Sequence, residues 1–251
     1  MNKLDAYKMD GLGNDFVIFD QRKYSVALTK SQIVKIADRS YIGCDQIIFI
    51  NKVQSNDAYV TFYNSDGGEI EACGNGSRCI AYLLMKETNR EKISLRTKNR
   101  TLEAKLIDNQ VRINMGAPFF NWDKIPLSKK MDNTNIKMKI NNEDKIGFAL
   151  NVGNPHIIFF VNNLDEYDLE KIGPELENHM YFPEKCNVTF ANVKEKNLIK
   201  VKVWERGAGL TKACGTAACA TAVAAFSSKL INRKVDIEFD EGNLNIEWAL
   251  N

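Results

Sequence analysis

Histidine and proline are scarce in this chain, two and five residues in 251, and neither sign of charge prevails. With only His156 and His179, and no Cys-x-x-Cys pair, no zinc site of the usual spacing can be drawn. Lys and Arg number 34 against 32 Asp and Glu, a net charge of +2, which points to no polyelectrolyte partner. The basic residues are scattered without aromatic interleaving, so a nucleic-acid groove is not expected. Long apolar runs are missing as well. The longest, Ala217 to Phe226, is too short and alanine-rich to span a membrane, and MNKLDAYKMDG at the start has no apolar signal core. A cytoplasmic protein is the expectation. Its six cysteines then read as free thiols, buried as small hydrophobes or used as thiolates.

What is present is an ordinary globular balance, 44% hydrophobic and 26% charged, over a length that fits one large domain or two of common size. Within it the triplet Ala-Cys-Gly occurs twice, in EACGNGSRC (71–79) and KACGTAACA (212–220), with the cysteines 141 positions apart. A shift of 140–141 aligns more than the triplet. GLGNDFVIF (11–19) falls on NVGNPHIIF (151–159), matching Gly13 with Gly153 and Asn14 with Asn154. DQIIF (45–49) falls on CNVTF (186–190), placing Gln46 over Asn187, and Asn64 falls on Glu205. Gln46 to Cys73 and Asn187 to Cys214 are both intervals of 27. Three blocks in one register indicate a duplication.

Coarse structure repeats with it. Each copy has an alternating strand first (Val17–Phe19; Ile157–Phe159), a strand before a glycine turn (Tyr59–Tyr63; Val201–Trp204), then a helical run after the triplet. ISLRT, TLEAKL and VRINM, joined by turn residues, read as antiparallel hairpins, and VDIEFDEGNLNIEW repeats that pattern. The expected fold is α+β: two pseudo-symmetric domains, residues 1–116 with Cys73 and 117–251 with Cys214, each a curved, mostly antiparallel sheet around a central helix. The segment 117–135, with two of the five prolines and a polar run, is the linker and boundary candidate.

Cys73 and Cys214 each stand just before a helix. Unpaired N–H groups and the positive end of the helix dipole favour a thiolate there, drawing the thiol pKa down from about 8.5. The N–H groups of Gly74–Asn75 and Gly215–Thr216 suit a carboxylate. Two equivalent thiols suit a reaction that takes a proton from one face of a carbon and returns it from the other. Cys79 and Cys219 lie within the helical runs, and Cys44 and Cys186 head β-like runs, so these four are read as packing.

The phrases GLGNDFV, GCDQ, YNSDGGEIEACGNGSRC, NVGNPH and WERGAGLTKACGTAACA, in this order from about residue 6 to 248, closely resemble the diaminopimelate epimerase family. The resemblance implies a cofactor-independent isomerase of lysine and cell-wall precursor synthesis that interconverts LL- and meso-diaminopimelate. Cys73 and Cys214 would be its acid/base thiols, and Gly74–Asn75 with Gly215–Thr216 would hold the reacting carboxylate. Asn14, Gln46, Asn64, Asn154, Asn187, Glu205 and Arg206 would surround the amino groups and distal carboxylate, while His156 and Glu205 would tune protonation near the thiols. A homodimer is implied by the resemblance alone. The chain departs from the pattern at Asp10, where the family has histidine, and at Ala217, where it has glycine. It also ends at IEWALN where the pattern continues with a strand pair, which would leave edges of the first sheet unpartnered. Two alternatives remain open on the residues: a racemase of the same fold acting on another amino acid, and a redox sensor pairing Cys73 with Cys214.

Overall fold

The computed structural model describes residues 4–55, 57–70 and 73–249. The chain divides into two compact units, residues 1–116 and 117–251. Ala72 of the first triplet lies outside the described residues.

In the first unit the strands are β1 (Tyr7–Gly11), β2 (Asn14–Asp20), β3 (Gln46–Asn51), β4 (Ala58–Asn64), β5 (Glu69–Ile70), β6 (Lys92–Arg96), β7 (Thr101–Ile107) and β8 (Gln110–Asn114). Helix α1 (Lys30–Ala37) lies between β2 and β3, and α2 (Gly74–Thr88) between β5 and β6. The sheet runs β1-β2-β3-β4-β6-β7-β8, with β5 on β4. Among the described residues of this unit, only β2–β3 and β4–β6 pair in parallel. Those are the connections that carry a helix, as a parallel pair requires a crossover. Because each crossover covers one face, the central strands are buried on both sides and read as continuous apolar runs. Val17, Phe19, Ile47 and Phe49 pack with Ile33 and Ala37 of α1. Phe16, Ile18, Ile48 and Ile50 face the other way, against Ile80 and Leu84 of α2.

The second unit holds β9 (Ile136–Ile140), β10 (Glu143–Asn151), β11 (Pro155–Phe160), β12 (Asn187–Glu195), β13 (Leu198–Glu205), β14 (Gly209–Thr211), β15 (Lys234–Phe239) and β16 (Gly242–Glu247). Helix α3 (Leu169–Glu177) lies between β11 and β12, and α4 (Gly215–Ser227) between β14 and β15. The order is β16-β15-β13-β12-β11-β10-β9, with β14 on β13, and the parallel pairs are β11–β12 and β13–β15. Helix α3 packs Leu169, Ile172 and Leu176 onto Ile157, Phe159, Val188 and Phe190. Helix α4 is buried nearly all round, with six alanines between 217 and 225 fully or almost fully enclosed.

The duplication extends to the hydrogen-bond ladders. Phe16 pairs with Gln46 and, 140 and 141 positions on, His156 pairs with Asn187. Phe62 pairs with Ile70 as Val203 pairs with Thr211, both 141 on. Strands β1–β7 thus correspond to β10–β16, while β8 and β9 are additions at opposite ends of the two strand orders.

The segment 117–135 is not a linker. Phe119 bridges to Asn151, and Ile125 and Leu127 are buried in the α3-side core of the second unit. Its prolines and polar residues mark turns on the surface, while its few apolar side chains pack inward; composition registers only the former.

Candidate active site

Each unit has its candidate residues at the same place, where strand ends meet the first turn of the central helix. Cys73 is the N-cap of α2, with φ −133° and ψ 115°, and its Sγ accepts the Gly76 N–H at 3.3 Å. Cys214 is the N-cap of α4, with φ −134° and ψ 115°, and its Sγ accepts the Ala217 N–H at 3.5 Å. Sulfur here takes the role that serine or aspartate oxygen fills at ordinary helix starts. Gly76 is needed for this turn to sit close on the sheet: a Cβ there would lie 2.7 Å from Ile48 Cδ1 and 3.2 Å from the Phe62 ring.

Around Cys73 the groups are amides. The Asn14 Oδ1 accepts the Cys73 S–H at 3.8 Å and the Asn75 Nδ2–H at 3.4 Å, while its Nδ2 donates to Asp45 Oδ2 at 3.0 Å. An ionised carboxylate only accepts, so Asp45 obliges Asn14 to turn its carbonyl oxygen toward the thiol. Asp45 is in turn held by Arg39, which also grips Asp15 through both guanidinium nitrogens at 2.7 and 2.8 Å. Gln46 and Asn64, adjacent partners on β3 and β4, are joined by an Nε2–H to Oδ1 bond of 3.2 Å. The Gln46 Oε1 is buried with no partner among the described residues, an acceptor open to a ligand.

Around Cys214 the set is different. His156 Nε2 lies 2.8 Å from Asn154 Oδ1, and Asn154 Nδ2 donates to Thr216 Oγ1 at 3.3 Å. Thr216 Oγ1 is 3.3 Å from Cys214 Sγ. Burial, with the Arg206 charge adding to it, holds the His156 pKa down at about 3, so the ring is neutral. Asn154 Oδ1 can only accept, hence the proton sits on Nε2 and leaves Nδ1 bare, and Nδ1 is a buried atom without a partner among the described residues. Asn187 donates to the Pro155 carbonyl at 2.8 Å and accepts the Arg206 N–H at 3.0 Å.

The expectation that a helix start lowers the thiol pKa fails for Cys214. Its pKa is raised well above the ordinary value, first by complete burial and then by the Glu205 carboxylate; the Thr216 and Ala217 donors oppose this without overcoming it. A dipole effect of about 0.3–2 kcal/mol is smaller than the desolvation of a buried thiolate. Glu205 lies beside the Cys214 thiol, and His156 is one residue further out, on Asn154. Among the other cysteines, burial pushes Cys44 and Cys79 up to about 11, and Cys186 higher still. Asp45 and Arg39 were not singled out in the sequence. Asp45 sits beside Gln46 in GCDQ, but its partner Arg39 has no local signature.

Solved structures share this two-sheet fold. A phenazine biosynthesis protein of the PhzF family from Bacillus anthracis matches with a TM-score of 0.66 at 18% identity, covering 96% of this chain and 87% of the other. A hydroxyproline epimerase from Agrobacterium vitis matches with a TM-score of 0.66 at 11% identity, covering 95% and 81%. The class is therefore the duplicated α+β fold of these proteins.

Within that class the sequence is more specific. The model of the family described as diaminopimelate epimerase matches residues 6–121 and 148–251. The diaminopimelate epimerase of Pelagibacter ubique (strain HTCC1062) is 57% identical over 248 residues, 97% of this chain and 90% of that protein. The one from the Wolbachia of Brugia malayi is 41% identical over 255 residues, 100% and 96% of the two chains. The chain belongs to the diaminopimelate epimerase family.

Proposed function

We propose that this protein is a diaminopimelate epimerase that inverts one Cα of LL-diaminopimelate to give the meso form, and the reverse, by a two-thiol proton transfer with no added cofactor. The observation that carries the reading is the duplicated turn: two cysteines cap two helices with backbone angles one degree apart. In one direction Cys73 as thiolate takes the Cα proton while the Cys214 thiol delivers its own to the opposite face. The thiol and thiolate states are then exchanged, and the reverse direction restores them. Proton count is conserved throughout.

The N–H groups of Gly74–Asn75 and Gly215–Thr216 hold the reacting carboxylate, since two helix starts serve a carbanion beside a carboxylate better than one. A preorganised donor at a developing oxyanion is worth about 2.7–4 kcal/mol. Gln46 Oε1, Asn64, Asn154 and Asn187 offer amide oxygens to ammonium groups, and Arg206 offers a guanidinium fork to the distal carboxylate. His156 is neutral and bonded to Asn154, so its part in this reading is to orient that amide, with Glu205 keeping Cys214 protonated. The set of free cysteines suits a reducing compartment, the cytoplasm, and a role in lysine and peptidoglycan precursor synthesis. A homodimer belongs to the same reading, and sedimentation of the purified chain checks it.

The decisive test is deuterium uptake at Cα of diaminopimelate in D₂O, using purified reduced protein without cofactor. Exchange with interconversion of the LL and meso forms is expected. No exchange sinks the reading, and equal turnover of a simple amino acid sinks the substrate assignment. A redox sensor would instead keep exchange-free behaviour in parent and Cys→Ser variants alike.

A further inference from the structure

Glu177 is a buried carboxylate, 6% exposed, at the last position of α3, and the proton transfer does not use it. Its Oε2 accepts the Trp204 indole N–H at 2.7 Å, and its Oε1 accepts the Gly207 backbone N–H at 3.1 Å. Lys185 lies 3.6 Å from the same Oε1. Trp204 immediately precedes Glu205, and Gly207 immediately follows Arg206, so a single carboxylate brackets the Glu205–Arg206 pair from both sides.

The remaining contacts serve the same end. Gly173 is one helical turn before Glu177 and shares its face of α3. A Cβ at Gly173 would lie 2.4 Å from the Trp204 ring, so the helix accepts a glycine, costing about 0.5–1 kcal/mol, where the indole must lie flat on it. Between the two brackets the Arg206 N–H donates to Asn187 Oδ1, and Arg206 Nη1 donates to the Glu184 carbonyl at 3.1 Å. Gly207 itself has φ +74°, and a Cβ there would meet nothing within 4 Å; it supplies the turn, not the packing.

We infer that Glu177 is a positioning residue for the Glu205–Arg206 turn, setting affinity for the distal amino-acid group of the substrate without touching it. This rests on the epimerase reading above. Burying a charge is costly unless its partners are fixed; here its hydrogen-bond donors are the two residues that flank the turn, with Lys185 as the opposite charge. An amide in its place keeps the shape but offers one acceptor instead of two, and turns an N–H toward a donor.

The test is steady-state epimerisation of diaminopimelate by the full chain, with folded fraction measured in parallel. Glu177→Gln is expected to raise KM about fivefold or more through Arg206, with kcat lowered by a smaller factor through Glu205 beside Cys214. Trp204→Phe, which removes the indole N–H and keeps an aromatic ring over Gly173, is expected to raise KM about twofold and serves if Glu177→Gln folds poorly. A lower kcat at unchanged KM is the mark of fewer folded molecules and overturns the inference, as does no change in either variant. A parent protein inactive on diaminopimelate removes the functional reading and this inference together; an active parent with an unchanged KM in the variants removes only this one.

Discussion

Cys73 and Cys214 cap their helices with nearly identical backbone angles, yet the side chains that reach them belong to different chemical classes. Near Cys73 the anchor is an ion: Asp45, gripped by Arg39, fixes Asn14. Near Cys214 it is a neutral ring: His156 fixes Asn154, which fixes Thr216. Cys73 is only half-buried, whereas Cys214 is buried and faces Glu205, where the first unit has Asn64. The backbone of the duplication has been kept while its electrostatics diverged.

The comparison breaks most sharply at the sulfurs. Cys73→Ala and Cys214→Ala are each expected to lower kcat/KM by about 10²–10⁴, the range for a lost acid or base. If one variant keeps parental turnover, the two helix starts are not equivalent in function.

Next come the first turns. Gly76 and Ala217 occupy the same repeat position, and Gly76→Ala must push Ile48 within a full core, at about 1–3 kcal/mol of stability. Ala217→Gly loses only helix propensity and one buried methyl, about 1.5–2 kcal/mol together. Urea unfolding of both variants checks this order, and a larger cost for Ala217→Gly would contradict the packing difference.

Asp45→Asn should reduce turnover by about tenfold, because an amide lets Asn14 turn either end toward Cys73. Its melting temperature should stay close to the parent's, and a loss of folding with intact specific activity would assign Asp45 to stability alone.

His156 gives a smaller, pH-dependent effect. Its folded pKa, about 3, is below the ordinary value near 6.5, so the unfolded chain binds the extra proton between those limits. Stability from this group is therefore complete above about 6.5 and lost as the pH falls toward 3. Comparing unfolding midpoints at pH 7 and pH 5, His156→Gln should show a shallower decline than the parent. The smallest effect is expected at Cys44→Ala, with turnover within about twofold, since that thiol is packed between strand and helix and raised to about 11.

Much of the architecture is legible in the sequence. Central strands such as Phe16–Phe19 and Ile157–Phe159 announce themselves because burial on both faces leaves no polar position to interrupt the run. The central helices follow from the Ala-Cys-Gly starts, and the repeat offset reappears in the strand register. Helices α1 and α3 carry no such signal: eight and nine residues give too few turns for a periodic pattern, and α3 contains Gly173 and Pro174. Residues 117–135 misled because proline and polar side chains dominate a segment whose two buried anchors, Ile125 and Leu127, are invisible to composition. At the site, repeat and resemblance singled out the amides and thiols. What orients them, Asp45 through Arg39 and the turn through Glu177, is made of contacts between residues distant in the chain, which no local pattern carries.

Trp204 has a use beyond packing. Its indole N–H rests on a buried carboxylate, and its ring lies on Gly173, two positions before Arg206. That makes it an intrinsic fluorophore wired to the turn. With Trp122 and Trp248 changed to Phe, the remaining emission would follow the local polarity there, giving a label-free optical signal of when that turn is occupied.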